Sequence, residues 1–373
     1  MSTPHEQKLN TILDQLKAYH GTQPIGLSKN SVPHLVPNPK DARFKRPKIN
    51  MRSLNNVIEI NPQTRTCTAE SGVAFVDLVR ETLKYNLVPM TVPELKTITI
   101  GGAVSGCSMD YVRFSHFDTY WTFLKDRCAL AEDDFIDGII HGPDHFVACL
   151  GNFVDEAPRL SRYDREKIFY KSTAHLTEDY FTTSDYFFRY DTECHWLTSQ
   201  IPLFENKIFR WLFGKYFLGS TNLITWSRRL RHIYGLKKRQ DIVVDVFIPA
   251  TRMTEFYTWY QKAFDFYPLW LVPYRMEKIY PLVSDGLQQI LQGEHLFIDC
   301  AIYGKKNDDL TRDLSKELED QVFNLNGVKT LIGKNHYSKE KFWKIYNKPL
   351  YEKVKKEMDP RGMFGEVFSK MCG

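Results

Sequence analysis

The sequence predicts an α+β fold, because strand-like and helix-like stretches alternate without the βαβ pattern of a nucleotide-binding domain. Apolar, β-prone runs predict strands over residues 135–140, 145–150, 241–249 and 296–303. The first two runs flank Gly142-Pro143, which is typical of an antiparallel pair. Helical spacing predicts helices over residues 252–264, 310–323 and 339–358. The second half of the chain is therefore expected to contain an antiparallel sheet with helices packed on it.

The first part of the chain has patterns of its own. Apolar residues at helical spacing predict an amphipathic helix over residues 6–19, and the Pro-rich stretch 21–48 predicts a loop with short strand pieces. Val57–Ile60 and Thr66–Glu70 flank Asn-Pro-Gln-Thr and predict a β-hairpin. An apolar stripe that starts at Phe75 and recurs at helical spacing predicts a helix.

Composition and charge narrow the class of protein. The 373 residues carry 50 basic and 45 acidic side chains, and a net charge of +5 is too small to indicate nucleic-acid binding by itself. The 7 scattered cysteines form no CxxC pair, which argues against a metal site and favours reduced thiols in a cytoplasm. Residues 1–20 lack the apolar core of a signal peptide, and no apolar stretch is long enough to span a bilayer. These features predict a cytoplasmic protein.

The most informative segment is Val92–Gly106, which ends in a glycine pair flanked by small residues. Glycines let the backbone approach a ligand closely and can turn N–H groups toward a phosphate. A bare glycine pair is more often a tight turn against a neighbouring strand. The segment does not have the GxGxxG spacing of a Rossmann site.

The order of elements around this segment resembles the flavin domain of the FAD-dependent oxidoreductase superfamily typified by vanillyl-alcohol oxidase. A hairpin, Ala69–Val73, an amphipathic helix, Pro89–Pro93 and the glycine pair follow one another as in that domain. The run Glu81–Gly106 resembles the delta-24 sterol reductase branch. Further stretches resemble the substrate (cap) domain and C-terminal helix of that branch: residues 134–140, 151–158, 185–191, 241–249, 267–271 and 342–364.

This resemblance implies FAD as the cofactor, with NADPH as a candidate electron donor, and an apolar small-molecule substrate. It places the first pyrophosphate-facing loop at Leu27–His34, where hydroxyl and backbone donors suit a diphosphate. The residues implied to bind the cofactor are Ser28, Lys29, Asn30, Ser31, His34, Thr99, Gly101, Gly102, Ser105 and Gly106.

The segment after Gly106 departs from the family. Asp110 is followed directly by Tyr111–Phe114, which resembles the start of the cap domain, so part of the flavin domain is absent. The resemblance divides the chain into a truncated FAD-binding domain over residues 1–110, a cap domain over 111–335, and a C-terminal helical segment over 336–373 that returns to the FAD domain. We expect exposed strand edges and unmatched apolar faces where the missing half would pack.

Two polar groups are candidates for chemistry. His336 and Tyr337 precede the last helix, in a region where related oxidoreductases place polar residues near the flavin, and a histidine suits proton delivery near neutrality. The alternative is a capping histidine, since Ser338 is a plausible helix start. Arg189 and Asp191, with two tyrosines, form either a pocket lining or an ion pair at the edge of the core. Cys194-His195 lacks partners at metal-ligand spacing.

Residues 208–239 combine crowded aromatic side chains with a basic run. Apolar bulk beside basic charge suits a peripheral membrane contact. The simpler interpretation is a core helix of the cap domain followed by a solvated basic helix, and a nucleic-acid groove ranks behind both. Three hypotheses remain open: a flavin oxidoreductase that reduces a C=C bond or oxidises an alcohol, a degenerate homologue that contacts lipid or another partner without catalysis, and a chain shortened by an artefactual deletion.

Overall fold

The computed structural model shows an α+β fold with a large antiparallel sheet, as the sequence predicts. It describes residues 3–30, 45–90, 92–93, 96–99, 109–154, 157–163, 167–193, 197–200, 202–219, 221–222, 225–226, 242–276, 280–309 and 311–372. The helices within these ranges are α1 (Pro4–Ala18), α2 (Phe75–Leu83), α3 (Phe117–Leu130), α4 (Phe169–Thr173), α5 (Thr183–Phe187), α6 (Pro202–Glu205), α7 (Lys207–Phe217), α8 (Met253–Ala263), α9 (Asp285–Ile290), α10 (Leu314–Asn324), α11 (Lys339–Ile345), α12 (Lys348–Met358) and α13 (Val367–Met371).

The strands form one large sheet and two small ones. Their bounds are β1 (Gly26–Ser28), β2 (Lys48–Asn50), β3 (Val57–Asn61), β4 (Thr66–Ala69), β5 (Met109–Phe114), β6 (Phe135–Gly142), β7 (His145–Gly151), β8 (Glu178–Asp179), β9 (Ile242–Pro249), β10 (Leu269–Arg275), β11 (Leu296–Lys305) and β12 (Val328–Lys329). The central sheet has 8 strands in the order β12-β9-β11-β10-β6-β7-β5-β8, and each pairing is antiparallel. The predicted pairs β3–β4 and β6–β7 are confirmed.

Each face of the central sheet carries its own apolar core. Helices α3, α8 and α10 cover one face, with Tyr120, Phe256 and Leu318 fully buried there. Close approach of α3 requires glycine at position 138, because a Cβ there would lie 2.0 Å from the Tyr120 hydroxyl oxygen. Helices α2, α4 and α5 pack on the opposite face, where Phe169 is also fully buried.

The apolar stripe of α2 shows where the expectation of unmatched apolar faces is wrong. Phe75, Leu78 and Val79 are buried in a core that also contains residues of the central sheet, so this stripe is not left exposed. The edges of the small sheets agree better with that expectation. In the described part of the chain, β1–β2 and β3–β4 remain two-stranded, and Leu27 and Ile58 are 47% and 49% exposed.

The C-terminal segment differs from its prediction as one helix over residues 339–358. It forms α11 and α12, because Asn347 caps the second helix through the Leu350 N–H, and a proline occupies its first turn. The segment then contacts the N-terminal elements. The Ile25 N–H donates to the Met363 carbonyl at 3.0 Å, and Arg361 donates to the Tyr19 carbonyl at 2.8 Å.

Candidate functional site

The end of β1 is the described part of the predicted pyrophosphate loop. Ser28 pairs with Asn50 of β2, and its carbonyl accepts a hydrogen bond from Met51 at 2.9 Å. The Asn30 amide donates to the Arg52 carbonyl at 2.9 Å, which joins the loop to the turn after β2. Lys29, which precedes Asn30, and Arg52 are both exposed. Their cationic groups suit the charge of a diphosphate, so this part of the site fits FAD.

The glycine segment lies mostly outside the described residues. Ser31, His34, Gly101, Gly102, Ser105 and Gly106 are all outside them. Thr99 is described, and it is only 6% exposed in an isolated antiparallel bridge with Ala74. Because Thr99 is buried beside α2, its described position supports the start of that helix.

The motif Ala69–Val73 has a structural role that its sequence does not reveal. The Glu70 carboxylate accepts hydrogen bonds from Lys8 at 2.8 Å and from the Asn56 N–H at 2.7 Å, and it contacts His5 at 2.9 Å. Burial alone would raise the pKa of Glu70, but these hydrogen bonds together hold it at about 2. A Cβ at Gly72 would lie 2.1 Å from the Leu54 carbonyl oxygen, so only glycine fits. The motif therefore attaches α1 to the hairpin.

The expected pairing of Arg189 with Asp191 is wrong, because each residue has a different partner. Arg189 donates to Asp137 at 2.6 Å and lies 4.1 Å from the ring centroid of Tyr186. Asp191 pairs with Lys96 at 2.6 Å and thereby joins the segment after α2 to the segment after α5. Arg189 and Asp191 are both buried, so neither lines an open pocket.

His336 lies in a partly buried polar network between α10 and α11, and Tyr337 packs next to it. The His336 N–H donates to the Glu319 carboxylate at 3.0 Å, and its Nε2 lies 3.4 Å from Asp313. Burial lowers the pKa of His336 although Asp313 opposes this, so the imidazole is neutral at pH 7. Tyr337 is 4% exposed in the apolar core of the C-terminal helices. Because its imidazole is neutral, His336 is better suited to accept a proton than to donate one.

Helix α7 has the reverse of the polarity expected for a core helix. Its exposed side carries Ile208 (69% exposed), Trp211 (57%), Leu212 (49%) and Tyr216 (69%), which recur at helical spacing. Its inner side carries Arg210, which is fully buried and donates to the Lys167 carbonyl at 3.1 Å. The interpretation of residues 208–217 as a core helix is therefore wrong. The basic run at residues 228–239 lies outside the described residues, as does Cys194-His195.

Two cavities of about 640 and 340 Å³ lie elsewhere on the molecule. The first is lined by Trp259, Lys262 and Gln321, and the second by Tyr351 and Met358 among others. None of the residues predicted to bind the cofactor lines either one. No helix in the described ranges is both long enough and apolar enough to cross a membrane.

The sequence interpretation missed two groups of ionisable side chains, which are buried except for the half-buried Asp245. Asp245 lies within the apolar run of β9 and Asp299 within that of β11. Glu319 and Lys329 form an ion pair at 2.9 Å, and both side chains are almost fully buried. The available signal for the first group was an acidic residue in the middle of an otherwise apolar strand, because acidic side chains are seldom buried unless they are paired.

The fold and these residues agree with a comparison against known protein families. The model of a family described as FAD binding domain matches residues 39–123, which run from the Pro-rich loop through α2 into α3. The match supports the PCMH-type FAD-dependent oxidoreductase superfamily, and FAD as the cofactor type.

Comparison with curated proteins supports the delta-24 sterol reductase branch of that superfamily. The Delta(24)-sterol reductases of mouse and human are 25% and 26% identical over 257 residues, which is 65% of this chain and 48% of each relative. The chain thus spans about half the length of the curated relatives it matches. The Delta(24)-sterol reductase of Arabidopsis thaliana is 18% identical over 477 residues, covering 98% of this chain and 84% of the relative. That alignment is longer than the chain, so many of its positions face gaps here.

Proposed function

We propose that the chain is an FAD-dependent oxidoreductase that transfers a hydride to or from an apolar substrate, by C=C reduction or alcohol oxidation. The observation that carries this proposal is the FAD-binding match over residues 39–123, which includes the turn where Arg52 joins the predicted pyrophosphate loop. The names of the relatives favour a sterol as the substrate and reduction as the reaction. We propose NADPH as the electron donor. Bound FAD would supply the hydride chemistry, while Lys29 and Arg52 would bind its diphosphate.

The cationic end of β1 provides the first test. We expect the double variant Lys29→Glu/Arg52→Glu to bind FAD at least about tenfold more weakly, because each charge-assisted hydrogen bond to phosphate contributes about 1.5–3 kcal/mol. The measurement is the flavin absorption that co-elutes with the protein on gel filtration after incubation with FAD. Lys353→Glu, an exposed lysine on α12, is the matched control and should bind like the wild type.

Two outcomes would oppose the proposal. A wild-type protein that stays colourless after incubation with FAD would contradict the flavin function. A double variant that retains full affinity would show that the diphosphate binds elsewhere.

The exposed side of α7 favours a second candidate function, which is peripheral contact with a membrane. Trp and Tyr prefer the membrane interface, and Ile208 and Leu212 add apolar area beside them. Basic residues follow in the sequence at positions 228–239, and they complement the charge of an anionic lipid surface. We propose that α7 lies on an anionic bilayer. This contact is compatible with the flavin function, and it would also serve a homologue without catalysis.

Charge placed on this side of α7 should abolish the contact. We expect Trp211→Glu/Leu212→Glu to reduce co-sedimentation with phosphatidylserine vesicles at least about tenfold, because burying each of these side chains contributes about 1.5–3 kcal/mol. The control is Leu130→Glu/Ile290→Glu, which places the same charges at exposed apolar positions on α3 and α9. The membrane proposal would be contradicted if both double variants lost vesicle binding equally, or if the wild-type protein did not bind the vesicles at low salt.

A further inference from the structure

Residues 96–99 are the described part of the chain that leads into the glycine pair. They lie within the FAD-binding match and end two positions before the first glycine. The Phe75 N–H donates to the Ile98 carbonyl at 2.9 Å, and the Val76 N–H donates to the Lys96 carbonyl at 3.1 Å. Both donors lie in the first turn of α2, where N–H groups have no acceptor within the helix. On this side the segment is therefore attached to the start of α2.

The other side of residues 96–99 contacts elements far along the chain. The Lys96 ammonium donates to the Asp191 carboxylate at 2.6 Å, and the side chains are 39% and 3% exposed, respectively. The Thr221 hydroxyl donates to the Thr97 hydroxyl oxygen at 3.3 Å. These contacts span 95 and 124 residues of sequence, so they form only when the segment is held against the turns that follow α5 and α7.

The surroundings of Asp191 hold its carboxylate in place for this pairing. Gly219 follows α7 with a φ of +94°, and a Cβ there would lie 3.1 Å from Asp191 Oδ2. Arg210 of α7, which is fully buried, donates to the hydroxyl of the adjacent Thr192 at 3.1 Å. Because a buried carboxylate is costly without a cation, Asp191 favours the position of the segment in which Lys96 reaches it.

We propose that Asp191 is a positioning residue for FAD, because its pair with Lys96 holds the chain before the glycine pair in the place from which that pair binds the diphosphate. The Thr97–Thr221 hydrogen bond contributes to the same attachment. This inference rests on the proposed FAD-dependent function. Glycines have more backbone freedom than other residues, so their N–H groups converge on a phosphate only if the neighbouring chain is fixed.

The attachment acts on FAD affinity through the population of the held segment. A protein whose binding-competent state is only partly populated binds its ligand more weakly in proportion to that fraction. Loss of a charge-assisted hydrogen bond changes such an equilibrium by roughly tenfold or more. Asp191 therefore changes FAD affinity through Lys96, by fixing the chain that leads to the glycine pair.

Replacement of Asp191 by asparagine tests the proposal, because it keeps the shape of the side chain and removes its charge. We expect Asp191→Asn and Lys96→Met to bind FAD about tenfold more weakly, as measured by flavin fluorescence well below the Tm of each variant. Lys96→Arg keeps the cation and should bind FAD like the wild type. The matched control is Lys84→Met, which breaks an exposed pair with Glu81 at the end of α2.

Hydrogen exchange in the absence of FAD reports the attachment directly. The N–H groups of Phe75 and Val76 should exchange faster in Asp191→Asn and Lys96→Met, because their acceptors lie in the released segment. In Lys84→Met they should exchange at the wild-type rate. A general loss of stability would instead accelerate exchange throughout the central sheet.

The two measurements together decide the inference. Weaker FAD binding with faster exchange confined to the start of α2 would support the positioning role of Asp191. If Asp191→Asn and Lys96→Met bound FAD as tightly as the wild type, the inference would be overturned and the flavin function would stand. Weaker binding with faster exchange throughout the fold would overturn it too, since Asp191 would then be purely structural. A wild-type protein that binds no FAD would overturn both the flavin function and this inference.

Discussion

Replacement of Arg189 by alanine should destabilise the fold by about 3–5 kcal/mol, because it leaves the Asp137 carboxylate buried without its cation. The two side chains are each only 6% exposed and lie 2.6 Å apart. Arg189 also stacks on Tyr186, so the variant loses aromatic contact as well. Burial raises the pKa of Asp137 although Arg189 opposes it, so part of the loss will be relieved by protonation. Urea unfolding at pH 7 and pH 5 measures both effects.

Two further variants distinguish the contribution of the buried charges to stability from the contribution of side-chain packing. Arg189→Met/Asp137→Leu removes both charges, and we expect it to recover much of the lost stability, because replacing a buried ion pair by apolar side chains is often neutral. Arg252→Ala breaks an exposed pair with Glu255 on α8 and should cost about 0–1 kcal/mol. A loss of less than about 1 kcal/mol in Arg189→Ala would show that the buried pair is not needed to hold α5 on the sheet.

Replacement of Lys329 by methionine should cost a similar amount, about 3–5 kcal/mol, and should release the loop that carries His336. The Lys329 ammonium donates to the Lys334 carbonyl at 2.7 Å and to Asn335 at 2.8 Å, besides its pair with Glu319. Without it, the buried charge of Glu319 keeps only the His336 N–H as a partner among the described residues. Hydrogen exchange of residues 333–337, together with urea unfolding, measures the local and the global effect.

The matching double variant tests whether the loss of stability in Lys329→Met comes from the unpaired charge of Glu319 or from the changed shape of the side chain. Lys329→Met/Glu319→Leu should restore most of the stability, but it should leave the His336 N–H without its acceptor and the loop still exchanging quickly. Lys316→Met, which breaks an exposed pair with Asp320 on α10, is the control and should cost about 0–1 kcal/mol. If Lys329→Met exchanged no faster than the wild type in this loop, the network would not be what positions His336.

Local sequence patterns correctly predicted the elements in which apolar residues recur at a regular spacing. The β3–β4 hairpin, the β6–β7 pair and α2 are confirmed, because alternation or helical spacing and turn residues indicate one structure without help from distant contacts. The break between α11 and α12 was missed, although Asn347 and its following proline are a capping signal. The strand β5 was also not predicted, since its pairing with β7 and β8 depends on residues far along the chain.

The site was predicted unevenly for a similar reason. Resemblance implied the loop at Ser28–Asn30 and the FAD-binding segment, and the family match supports that class of cofactor. Partners of charged groups could not be predicted, because Arg189 finds Asp137 and Asp191 finds Lys96 only when separate elements pack together. The same holds for α7, whose sequence looks like a core helix.

By itself, the sequence determined the α+β class, the main strands and helices, and the family resemblance. These depend on local periodicity, turn chemistry and motif order, which are all present in the linear chain. Only the tertiary structure decided that the apolar stripe of α2 is buried, that α7 turns its apolar side outward, and that Asp245 and Asp299 are diagonal neighbours on adjacent strands. Burial and charge pairing are properties of elements brought together, and no local pattern specifies which elements will meet.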